Sequence, residues 1–273
     1  QTYRNKMYVD ATFTTTFLRN KILDLKGVSP VIHASLPIVQ MEGHPVGAYY
    51  GYRMAGVYQF DDFTWQNDSD PSVPLQDRVY KLKEGRPVPS EGSPRPGDLK
   101  FADLSGPDGK PDGKIDLDYD RTIIGDPFPD VSMSLNLNWG WKGIDFNMFW
   151  QTVLGRDMYN QGPMVVPFYN DNGNVWKDMV DKRWTADNPT NRHPRMNYDS
   201  KTANTRSSYY IYDASFLRLK NIELGYTLPV RWTAKLHMSK VRIYAGIQNA
   251  WTLTNFPGWD PERPSTNIAS EVY

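Results

Sequence analysis

The chain of 273 residues contains no cysteine. Disulfide staples and Cys-ligated metal frameworks are therefore excluded. It has no run of 18 apolar residues, which excludes a membrane-spanning helix. Spanning strands stay open, because their signal per segment is much weaker. A charge excess of one sign is also missing. Lys plus Arg and Asp plus Glu each number 31, so no global field draws the chain to nucleic acid. No basic cluster interleaved with aromatics does so locally. Hydrophobic residues make up only 39%, yet aromatics reach 14%. Soluble domains usually show the opposite balance. Such a composition suits a transmembrane barrel, a lectin-like β protein, or a chain that handles sugars. The N-terminal Q-T-Y-R-N-K has no apolar signal region, so an exported form is expected to be mature or a fragment.

What is present is alternation. Residues 131–139 read V-S-M-S-L-N-L-N-W, with Val131, Met133, Leu135, Leu137 and Trp139 on one face of a strand and Ser132, Ser134, Asn136 and Asn138 on the other. One such window arises by chance at roughly 0.001 per start position, so the reading depends on recurrence. It recurs. Segment 7–19 sets Met7, Val9, Ala11, Phe13 and Phe17 against Asp10, Thr12, Thr14 and Thr16. Segment 144–152 sets Ile144, Phe146, Met148 and Trp150 against Asp145, Asn147 and Gln151. Segment 209–228 shifts phase between Leu219 and Ile222, which predicts a β-bulge near Lys220–Asn221. Segment 240–250 sets Val241, Ile243, Ala245 and Ile247 against Arg242, Tyr244, Gly246 and Gln248. Segment 46–60, rich in Tyr and Gly, is β-like with blurred alternation.

The expected fold is all-β: an antiparallel transmembrane β-barrel segment of about six strands with long extracellular loops. A soluble β-sandwich is the competing fold, but it predicts charge on the exposed face, where Ser, Asn and Thr dominate. Short connections at 140–143 and 229–239 contrast with long, polar ones at 61–130 and 153–208. That asymmetry makes the short ends periplasmic and the long ones extracellular, and it puts 20–45 on the periplasmic side. Trp139, Trp141 and Tyr226 then mark one interface, and Trp150 and Trp251 the other. Asn136, Asn138, Asp145, Asn147, Gln151, Arg242 and Gln248 would line a lumen, opposite a face in outer-membrane lipid.

The runs P-G-D-L-K-F-A-D-L-S-G (96–106), D-G-K-I-D (112–116) and D-R-T-I-I-G-D-P (120–127) resemble the SusC/RagA family of TonB-dependent outer-membrane transporters. So do W-K-G-I-D-F-N-M-F-W-Q-T-V-L-G-R-D-M-Y-N (141–160), R-W-T-A-D-N-P (183–189), Y-D-A-S-F-L-R-L-K-N-I-E-L-G-Y-T-L-P (212–229), V-R-I-Y-A-G-I-Q-N-A-W-T-L-T (241–254) and P-G-W-D-P-E (257–262). The resemblance implies a 22-stranded barrel in the cell outer membrane with an N-terminal plug. It further implies TonB as energy source, a SusD-like lipoprotein as partner, and import of oligosaccharides or peptides. On this reading residues 1–273 are a C-terminal part of the barrel, with the plug and the final strand outside the chain. Six strands cannot close a barrel, which agrees with a longer polypeptide.

The densest acidic cluster is residues 103–120. Asp103, Ser105, Asp112, Asp116 and Asp120 approximate an EF-hand-type set of oxygen ligands for Ca²⁺, with Gly113 at the turn and Ile115 at the apolar position. Gly-Pro-Asp-Gly-Lys-Pro interrupts the spacing, and a solvated turn explains the same residues. Asp116, Asp118 and Asp120 are too crowded for a glycosidase pair. His33, His44, His193 and His237 show no ligand spacing, and no nucleophile elbow or phosphate loop is present. No enzyme activity and no required cofactor are expected. Trp65, Tyr169 and Trp176 are candidates to stack on sugar rings. The alternative function is a secreted Ca²⁺-dependent glycan-binding β module.

Overall fold

The computed structural model describes residues 7–33, 36–68, 70–160, 175, 177–196, 202–203 and 205–263. They divide into two compact units. The first, drawn from Gln1–Asn20, Phe128–Asp157 and Asp213–Pro264, is one antiparallel sheet of five long strands whose order in space is their order in the chain. They are β1 (Tyr8–Phe17), β2 (Val131–Trp141), β3 (Ile144–Leu154), β4 (Phe216–Thr227) and β5 (Arg242–Thr254). β2 and β3 have 11 residues each. At ~3.4 Å per residue and a tilt of ~40°, such a strand rises about 28 Å, enough to cross the ~25 Å apolar band of an outer membrane.

The register keeps the two faces apart. Ala11, Leu137, Met148, Ile222 and Ile247 form one row on the apolar face, and Phe13, Leu135, Trp150, Leu219 and Trp251 the next. The apolar face is open: Phe13 is 64% exposed, Leu224 55% and Ile247 60%. Apolar area of this extent in contact with water marks an interaction surface. Trp150 and Trp251 meet edge to face at 6.0 Å near one end. Trp141 and Tyr226 lie at the other end, where β2, β3 and β4 turn.

Local chemistry explains the turns. Lys142 (φ 48°) and Gly143 (φ 88°) form a two-residue hairpin with both φ positive, the twist that suits a β2–β3 ribbon. A side chain at Gly143 would also press within 2.9 Å of the Thr227 carbonyl. Lys220 is unpaired between Leu219 and Asn221, so the bulge expected there is present. β5 answers it with a second irregularity at Asn249 (φ 50°), which returns Trp251 and Leu253 to the apolar face.

Two expectations are corrected. Phe17 pairs with Val131, and Val131 with Leu154, while Phe216 pairs with Thr254. Both long insertions, 18–130 and 155–215, therefore leave and rejoin the sheet at one end. Residues 20–45 start from that long-loop end, not from the short-turn end. Segment 46–60 is also no wall strand, so the sheet has five strands rather than six. It forms the short strands Ala48–Tyr52 and Met54–Val57 of the second unit. The reason is burial on both faces, since Ala48, Tyr49, Gly51 and Tyr52 are all buried. A strand with no exposed apolar face and five residues cannot cross lipid.

The second unit is built from described residues of Lys21–Pro127 and Met158–Tyr212. It consists of small sheets around aromatic cores. Tyr52, Val57, Leu99, Phe101, Ile115 and Trp184 make one cluster, and Tyr49, Tyr159 and Tyr210 another.

Candidate functional site

The polar face of the five-stranded sheet carries three separate hydrogen-bonded groups of side chains. At its middle, the Asn147 carboxamide donates to Asn138 Oδ1 at 2.7 Å and Asn136 Oδ1 at 3.0 Å, and accepts from Asn221 Nδ2 at 2.9 Å. One amide chain thus crosses β2, β3 and β4. Toward the short turns, Arg242 on β5 reaches across β4 to Asp145 on β3 and pairs with Glu223 at 2.6 Å. Gly225 makes this crossing possible, because a Cβ there would overlap both the Arg242 guanidinium and the Asp145 carboxylate.

Toward the long-loop end, the segment after β5 folds back. The Arg218 guanidinium donates to Thr252 at 2.8 Å, Glu262 at 2.6 Å and Asp260 at 2.7 Å, and Lys220 pairs with Glu262 at 2.6 Å. Arg218 is buried, so its charge is compensated by partners rather than by water. Burial pushes the Asp260 carboxyl up, but the bonds from Arg218 and the Glu262 amide outweigh it and hold the group below its ordinary value.

The register puts Asn136, Asn138, Asp145, Asn147, Gln151, Arg242 and Gln248 on this one face. Arg218, Glu223 and Asn221 belong with them and were not singled out from the sequence. The signal was available, since Arg218 alternates with Leu217 and Leu219. The same signal holds beyond the bulge for Asn221 and Glu223, which alternate with Ile222 and Leu224.

In the acidic loop Asp103, Asp112, Asp116 and Asp120 are each engaged by backbone amides of the loop itself, while Asp103 Oδ1 is buried without a hydrogen-bond partner. Asp120 is fully buried and accepts the amides of Leu104 at 2.6 Å, Ser105 at 3.3 Å and Asp116 at 2.8 Å. Asp103 accepts from Gly113 at 2.7 Å, Asp112 from Lys114 at 2.9 Å, and Asp116 from Asp118 and Tyr119 at 2.9 Å. These carboxylates cap the turns of their own loop. Ser105 is held by its amide, and its hydroxyl faces the Gly106 carbonyl at 3.4 Å. Among the described residues no three His, Asp or Glu side chains converge on a point that could hold a metal. His193 is paired with the Tyr209 hydroxyl at 3.2 Å, and burial lowers its basicity. Trp65 is covered by the Arg78 guanidinium, 4.1 Å from its ring centre. Tyr169 and Trp176 lie outside the described residues.

No family model matches the chain. Among known proteins it is 32% identical to TonB-dependent receptor P3 of Formosa agariphila, over 97% of this chain and 25% of that protein. It is 27% identical to the TonB-dependent receptor SusC of Bacteroides thetaiotaomicron, over 62% of this chain and 16% of that protein. Among solved structures it superposes on the RagAB peptide transporter with a TM-score of 0.64 at 20% identity, covering 95% of this chain and 25% of the matched one. The chain spans about a quarter of the length of the first two of these relatives at most. Five long antiparallel strands, one apolar and one polar face, and these likenesses agree: the chain belongs to the SusC/RagA family of TonB-dependent receptors and has the fold of part of their antiparallel transmembrane β-barrel.

Proposed function

We propose that the chain is part of the wall and outer loops of a non-enzymatic, TonB-dependent importer of the outer membrane. The observation that carries this reading is the pairing of an exposed apolar face with a hydrogen-bonded polar face on strands long enough to span lipid. The apolar face meets lipid. Asn136, Asn138, Asp145, Asn147, Gln151, Arg242 and Gln248 line the lumen, where a wet, shaped wall is all that transport demands of them. The insertions at the long-loop end lie on the outer side, where a SusD-like lipoprotein covers the barrel. The cargo is a large nutrient, an oligosaccharide or a peptide, and TonB supplies the energy through parts of the longer protein.

The full-length protein is expected in the outer-membrane fraction, with a gel mobility that changes on boiling. Cells expressing it should accumulate labelled oligomer only while the proton-motive force is intact. Recovery of the protein from washed cells in buffer without detergent would refute this reading and favour a secreted glycan-binding module.

A further inference from the structure

The second unit contains a cavity of about 580 Å³, a size that takes a small organic ligand or a few residues of a polymer. Its floor is aromatic. Tyr50 and Tyr52 come from the strand Ala48–Tyr52, and the Tyr52 ring stacks on Phe101 at 5.1 Å. Its charged lining residues are Glu91, Asp116 and Asp118 against Arg121 and Arg206, and the Arg206 guanidinium donates to the His33 and Leu36 carbonyls. The self-capped acidic loop is what presents Asp116, since buried Asp120 anchors the Asp116 amide.

Glu91, Asp116 and Arg121 are not neutralised by one another. Arg121 donates its Nε to the Leu117 carbonyl at 2.7 Å and lies 5.2 Å over the Tyr50 ring, but forms no ion pair among the described residues. Asp116 spends Oδ1 on two backbone amides and leaves Oδ2 open. Glu91 makes no hydrogen bond or ion pair among the described residues. Burial pushes the Tyr52 hydroxyl up to about 12, Arg121 opposing and Glu91 and Asp116 adding to the rise, so at neutral pH it is a donor. Side-chain charges with no ion-pair partner in the protein can take one of opposite sign from a ligand. A neutral sugar offers hydrogen bonds but no such partner. A peptide offers ammonium or guanidinium groups for the carboxylates, and a carboxylate or carbonyl for the guanidinium fork.

We infer that this cavity binds a peptide segment bearing a cationic side chain, with Glu91 and Asp116 facing the cation, and Arg121 and the Tyr52 hydroxyl facing the peptide's oxygen atoms. Its physiological meaning rests on the import reading above, whereas the binding itself does not.

The test is calorimetry on the full-length receptor in detergent with the synthetic peptide Ala-Lys-Ala-Lys-Ala, its doubly Nε-acetylated form, and maltohexaose. The lysine peptide is expected to bind saturably, and acetylation should weaken it at least tenfold. Glu91→Gln and Tyr52→Phe should each weaken it about tenfold, a change of ~1.4 kcal/mol. Glu91 is exposed and Tyr52→Phe keeps the stack on Phe101, so both variants should fold. Undiminished binding in both variants, equal binding of the acetylated peptide, or maltohexaose binding that these substitutions abolish would each overturn the inference. A receptor that sits in the outer membrane and imports solute but binds no peptide sinks the cavity assignment alone. A receptor found outside the membrane sinks the import reading instead.

Discussion

Ile247 and Ile243 lie on the same face of β5 and are almost equally exposed, at 60% and 62%. Ile247 sits near the centre of the 13-residue strand, in the row of Leu137 and Met148, while Ile243 pairs with Tyr226 at the short-turn end. Four residues at ~3.4 Å, tilted by ~40°, separate their depths by about 10 Å, nearly half of a ~25 Å apolar band. Arginine at the midplane of an outer-membrane barrel costs about 2–4 kcal/mol, and near the interface about 0–1. Ile247→Arg should therefore lower the folding constant roughly 30- to 900-fold, while Ile243→Arg should lower it less than about sixfold. Gln248→Arg has the same depth on the polar face and should cost under about 1 kcal/mol. The assay is reversible denaturant unfolding of the full-length receptor in lipid vesicles, followed by tryptophan fluorescence. On a soluble sheet, exposed Ile→Arg changes would fall within about 0.5 kcal/mol at either position. Equal effects at 243 and 247 would therefore refute the lipid-facing assignment.

Gly225→Val should displace Arg242 from Asp145 and Glu223 and cost about 1–3 kcal/mol in the same assay, with Gly225→Val/Arg242→Leu recovering part of the loss. The Asp260 carboxyl is held below its ordinary value, so its contribution is present above the unfolded value and fades as pH falls through the folded one. Protection of segment 255–263 against hydrogen exchange, taken relative to the intrinsic rate at each pH, should accordingly fall below about pH 4, and Arg218→Met should lower it already at neutral pH. Asp120→Ala removes the acceptor for three backbone amides, and about 2–4 kcal/mol of the second unit's stability should go with it, read by thermal denaturation. Because Asp103 Oδ2, Asp112 Oδ1 and Asp116 Oδ1 are spent on backbone amides, millimolar Ca²⁺ should leave that wild-type transition unmoved. A rise of several degrees would show that the loop holds the ion.

Strands β2 and β3, their tight turn and the bulge at Lys220 were legible in the linear chain. Period-two alternation is a property of neighbouring residues, and a one-residue slip in phase has only one cheap structural explanation. The polarity of each face was legible for the same reason, down to Asn136, Asn138 and Asn147. Absence of cysteine and of long apolar runs had already narrowed the class.

Partnership between distant residues was not legible. β1 pairs with β2 across more than a hundred intervening residues, and nothing local to residues 8–17 says so. That pairing alone decides that residues 20–45 start from the long-loop end. Tyr49 and Tyr52 look like wall residues until burial on both faces places them in two aromatic cores of the second unit. The Arg218–Glu262 and Asp120–Leu104 contacts are likewise choices among many acceptors that only folding resolves. Alternation is written in adjacent residues and survives being read in one dimension, whereas register, burial and charge pairing depend on which remote segment arrives opposite.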